Sequence, residues 1–79
     1  LFVCTVTPSN NVNLRGGPGT NYAQVDIFSG GSTRYVIGQS QGGDSYLWWQ
    51  LEGEVWVRSD IVQVDGTCDN VPSVIAPAN

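Results

Sequence analysis

The side chains of this 79-residue chain with chemistry to offer are two cysteines, three arginines, seven carboxylates, three tryptophans and three tyrosines; histidine, lysine and methionine are absent. Without histidine, no Ser-His-Asp or Cys-His arrangement can be drawn, and no His-containing metal site exists. Cys4 and Cys68 stand near opposite ends of the chain. Two cysteines alone do not build a zinc-finger type site, and these are too far apart for a redox Cys-x-x-Cys. That leaves one disulfide or two free thiols, and the disulfide is the expectation. It would close a loop of about 65 residues, worth ~4 kcal/mol by chain entropy. It would also imply an oxidising compartment, hence a secreted or cell-surface protein. Asp44, Glu52 and Glu54 form no close pair in sequence, whereas a glycosidase needs two carboxyls about 5–9 Å apart across a cleft. Asp60, Asp65 and Asp69 lack the regular Asp-x-Asp-x-Asp-Gly calcium loop. The chain is therefore read as a non-enzyme with no cofactor and no metal.

The charge balance narrows the partners. A net charge of −4 with only three arginines argues against a phosphate backbone, which needs clustered cations. It argues against an anionic membrane surface on the same ground. No apolar run approaches the ~20 residues of a membrane helix. The chain begins at Leu1 without a signal-peptide pattern, which reads as a processed mature chain or a fragment of something larger.

The elements that must position these groups are short strands. Val and Ile supply 15 residues against 7 from Leu and Ala, with ten Gly and four Pro as punctuation. That bias disfavours helices and favours strands joined by tight turns. Residues 2–7 read as a strand, followed by strands near 11–15, 23–28, 33–39, 47–51, 54–57 and 61–64. One helical turn is expected at residues 58–60, and a two-residue hairpin turn at Glu52-Gly53. The Gly-Pro-rich stretch 16–22 must be a tight loop, with at least one of Gly16, Gly17 and Gly19 at φ > 0. Six or seven short strands at intervals of about 8–12 residues indicate a small barrel or sandwich. Residues 1–68 make the domain. Residues 69–79 read as an extended tail, because Pro72 and Pro77 remove backbone donors.

Three motifs carry a family resemblance. Val12-Asn13-Leu14-Arg15-Gly16-Gly17-Pro18-Gly19-Thr20-Asn21-Tyr22 resembles the opening of bacterial SH3-like (SH3b) domains, which show an apolar-Asn-apolar-Arg run before Ser-Gly-Pro and then an aromatic. Trp48-Trp49-Gln50-Leu51 looks like the family's Trp-aromatic-polar-apolar strand. Val55-Trp56-Val57-Arg58-Ser59-Asp60-Ile61-Val62 looks like its closing Gly-Trp-Val strand and turn. Order and spacing match over roughly residues 5–64, with Gly16 in place of the usual Ser and Val55 in place of the usual Gly. The resemblance implies an all-β, small SH3-like partly open β-barrel. It also implies a non-catalytic module that binds peptidoglycan or another wall polymer.

Each candidate residue has a functional role and a plainer one. Trp49 alternates with Leu47 and Leu51 and reads as core. Trp48 then points to the other face, where an exposed indole would make a contact surface. The face of Trp56 depends on register. Tyr22, Tyr46 and Trp48 together would form a stacking platform for sugar or a groove for peptide; the alternative is that they fill the barrel's open ends. Arg15 would bind ligand or, more plainly, pin the Gly turn through carbonyls. The candidate ligand-binding set is Arg15, Tyr22, Tyr46, Trp48 and Trp56.

Two functions follow. One is a structural repeat or self-assembling subunit of a secreted surface protein or filament, with other copies of itself or neighbouring domains as partners. Its support is the tail, where Val71, Val74 and Ile75 lack an evident slot in their own barrel and are expected to dock on another copy or domain. The alternative is an extracellular module that recognises cell-wall peptide or glycan.

Overall fold

The structure, a computed structural model, describes residues 3–42 and 45–77. The expected strand start at Phe2, the Gly43-Asp44 part of a turn and the last two tail residues lie outside that range. Seven strands follow in chain order: β1 (Cys4–Thr7), β2 (Val12–Arg15), β3 (Gln24–Phe28), β4 (Arg34–Gln41), β5 (Leu47–Leu51), β6 (Val55–Arg58) and β7 (Gln63–Gly66). Single 3-10 turns occur at Ser59–Ile61 and Cys68–Asn70. The strands form one antiparallel sheet in the order β3-β2-β6-β5-β4-β1-β7.

The core follows from the two-residue period of the strands. On β5, Trp49 faces Val57 of β6, and Leu51 faces Val55 of β6 and Val36 of β4. These pack with Cys4, Val6, Leu14, Phe28, Cys68 and Val71 in one cluster. The sheet coils enough for Arg34 on β4 to reach β3, which is not its neighbour. Its guanidinium lies 3.9 Å from Asp26 and 5.4 Å from the centre of the Phe28 ring. Among the described residues no ladder joins the two ends, so the sheet is not closed there, and β3 and β7 are its edges. Cys4 and Cys68 form the disulfide, tying β1 to the turn after β7. No described helix is long and apolar enough to cross a membrane.

The turns depart from expectation in two places. The β5–β6 hairpin has three loop residues rather than two, since Leu51 pairs with Val55. Glu54 donates its N–H to the Leu51 carbonyl at 3.1 Å. Gly53 sits at φ 87° and Glu54 at φ 59°. A turn with a positive φ at its third residue needs Gly there, and Glu54 must then also turn left-handed to re-enter the ladder. The second departure is in the 16–22 loop, where none of Gly16, Gly17 and Gly19 has positive φ. The glycines serve clearance instead: a Cβ on Gly17 would overlap the Tyr22 ring, and one on Gly19 would lie 2.5 Å from Asn21 Oδ1.

The tail also departs. Its first half docks on its own domain. β1 pairs with β4 only at Arg34 and Tyr35, which leaves the later edge of β4 open. Gln39 fills that gap with the tail: its N–H donates to the Pro72 carbonyl at 2.9 Å, and its carbonyl accepts from Val74 N–H at 2.8 Å. Its side-chain amide donates to the Val71 carbonyl at 2.8 Å. Val71 enters the core, and Val74 sits against Gly38, where any Cβ would collide with it.

Candidate functional site

Cross-strand partners share a face of the sheet, so the register defines a second, outer layer. Trp48 is opposite Arg58, Gln50 is opposite Trp56, and Trp56 is opposite Arg15. Trp48, Trp56, Arg15 and Arg58 therefore lie together on the face opposite Trp49. A groove of about 300 Å³ opens there, lined by Asn11, Val12, Asn13, Arg15, Thr20, Trp48, Arg58 and Ile61. Loop residues supply two of its walls: Thr20 from the 16–22 loop, and Ile61 from the 3-10 turn after β6.

The two arginines are held differently. Arg15 donates from Nη1 to the Tyr22 carbonyl at 3.0 Å, the turn-pinning role its position suggested. Among the described residues, no carboxylate lies within 4 Å of it. Arg58 is paired, its Nε 2.6 Å from Asp60 Oδ1. Its guanidinium also stacks 4.4 Å from the centre of the Tyr46 ring, a cation–π contact that fixes its plane.

Of the five candidate residues, Arg15 and Trp48 line the groove. Tyr46 adjoins it through Arg58. Two expectations are corrected. Trp48 does point away from the core, yet it is only 3% exposed. It is a floor rather than a platform. Tyr22 does not join Trp48 in a stacking surface: its ring packs over Gly17, and its hydroxyl donates to the Pro77 carbonyl at 2.6 Å.

The tail is anchored at Gly38 on β4 and again at Tyr22, beyond β2. In the strand order, the path between these anchors crosses β5 and β6. Trp56, on that face of β6, is 1% exposed. The tail is thus tied down at both ends of residues 74–77, and Ile75 between the anchors is 94% exposed. Of the three tail residues expected to engage a partner, Val71 is buried, Val74 is half-buried and Ile75 is exposed.

Sequence reasoning missed Asn11, Val12, Asn13, Thr20, Arg58 and Ile61 as groove residues. The alternation of β6 could have found Arg58, which lies two residues from Trp56 and so shares its face. Asn13 lies two residues from Arg15 on β2 and was open to the same argument, Val12 adjoins it at the start of that strand, and Asn11, Thr20 and Ile61 come from outside the strands, where approach to a face has no periodic signal.

No family model, no curated protein and no solved structure matches the chain.

Proposed function

We propose that the chain is a non-catalytic extracellular binding module with an SH3-like partly open barrel, and that its outer groove engages a cell-wall peptide or glycan. One observation carries the reading: in a chain of net charge −4, two of the three arginines converge with an indole in a single groove. Isolated strand residues do not need such a grouping for stability, whereas a recognition site needs convergent polar groups around an apolar floor. The motif resemblance over residues 12–22, 48–51 and 55–62 supports the same reading. The disulfide fits an oxidising, extracellular compartment. The test is co-sedimentation with purified peptidoglycan. The chain should pellet with the wall, and Arg58→Gln should weaken that binding. A chain that stays in the supernatant at all wall concentrations contradicts the proposal.

Self-assembly is a second reading, with weaker support than the tail sequence alone gave it. Residues 71–74 dock on their own domain. What favours assembly is the open edge at β3, with Val25 and Ile27 exposed, and the exposed Ile75. Edges of this kind invite strand addition. Size-exclusion chromatography over a wide concentration range separates the readings: a concentration-dependent polymer supports assembly, a constant monomer supports the binding module.

A further inference from the structure

We infer that the groove takes its ligand by a carboxylate, and that this ligand is the carboxyl-terminal end of a short peptide rather than a neutral glycan. The inference rests on the groove being the binding site, and narrows what it binds. Three observations carry it.

The first is charge. Arg58 already has Asp60. Arg15 donates to the Tyr22 carbonyl, and among the described residues no carboxylate lies within 4 Å of it. A half-buried guanidinium has lost part of its hydration and regains interaction from an incoming anion. In a chain rich in acids, a groove whose Arg15 has no carboxylate partner among the described residues is matched to a ligand that brings one.

The second is the state of the aromatic rings. Neutral sugars are gripped chiefly by stacking on an open aromatic face. Trp48 and Trp56 are both buried, at 3% and 1% exposure. Neither offers a plate. The Tyr46 ring carries the Arg58 guanidinium on one face.

The third is the rest of the lining. Asn13 and Thr20 supply donors and acceptors of the kind a peptide backbone needs, while Val12 and Ile61 supply an apolar wall for a small side chain. At about 300 Å³ the groove is at the small end of ligand sites. That room suits the last one or two residues of a peptide.

The test is an NMR titration of the full chain with three probes: N-acetyl-Ala-Ala with a free carboxylate, its carboxyl-terminal amide, and the neutral tetramer of N-acetylglucosamine. The acid should shift the amides of residues 11–15 and the Trp48 indole resonance, and the amide should bind about tenfold more weakly or worse. Added salt should weaken the acid and leave the amide unchanged. Arg15→Lys should keep most of the preference for the acid and Arg15→Gln should lose it. If Arg15→Gln does not fold, the acid-amide comparison and the salt series on the unaltered chain decide alone. Equal binding of acid and amide overturns the carboxylate inference and leaves the binding module standing. So does tighter binding by the tetramer. If none of the probes moves a groove resonance while purified walls still pellet the chain, the inference falls and the module stands. If the walls fail as well, both fall.

Discussion

Gly17 and Tyr22 show how a residue choice can be right for a reason other than the one its type suggests. Three glycines and a proline at positions 16–19 point to left-handed backbone, because that is what glycine uniquely permits. The chain turns there without it, and glycine is needed at 17 because the Tyr22 ring lies where a side chain would start. Clearance of this kind depends on a ring five residues away, and no local rule encodes it. Gly17→Ala should therefore destabilise the domain by about 1–3 kcal/mol through overpacking. Gly16→Ala should change stability by less than about 0.5 kcal/mol, since the nearest atom to its Cβ is 3.8 Å away. Chemical denaturation of both variants checks the pair, and equal losses would show that the loop resists any side chain. Arg15 was more transparent. A guanidinium next to a glycine turn has carbonyls within reach whatever the rest of the fold does, and the bond to Tyr22 is of that local kind.

Strands were the most readable elements, because alternation of apolar and polar residues is a property of the strand itself. The expected and observed spans of β2, β3, β5 and β6 agree within a residue or so at each end. β7 lies two residues later than expected, since Ile61 belongs to the 3-10 turn and not to the ladder. The alternation also put Trp48 and Trp49 on opposite faces correctly. What it could not supply is how deeply the residues of the outer face are buried. The tail itself was misjudged because its slot exists only in three dimensions: β1 stops short along β4, and Gln39 is left to receive a strand. This gives a sharp contrast between two neighbouring apolar residues. Val71→Ala should cost about 2 kcal/mol, from two lost methyl groups and the cavity they leave. Ile75→Ala should change stability by less than about 0.5 kcal/mol. Denaturant midpoints measured at equal slope decide it. If Ile75→Ala costs as much as Val71→Ala, the tail is held in a different way.

For the whole molecule, the disulfide is the largest single constraint. A domain of this size buries little apolar surface for its length, and the bond closes a separation of 64 residues. The loop-entropy estimate is about 4 kcal/mol, a large part of what small domains have in total. Unfolding measured with and without reductant should show a loss near that size, and replacement of both cysteines by alanine should match it. An unchanged midpoint after full reduction would mean that the core and the tail hold the fold alone. By tying β1 to the start of the tail, the same bond fixes where the tail begins, ahead of its anchors at Gln39 and Tyr22.

The groove is where the chain is proposed to meet its ligand. The most direct measurement is an amide and indole NMR map of the chain with soluble fragments of digested peptidoglycan. Shifts should concentrate at Asn11, Asn13, Arg15, Thr20, Arg58 and Ile61 and at the Trp48 indole, with the Trp49 indole, on the opposite face, unmoved. Shifts confined to the edge strands β3 and β7, with line broadening that grows with protein concentration, would contradict it and assign the molecule to self-assembly instead.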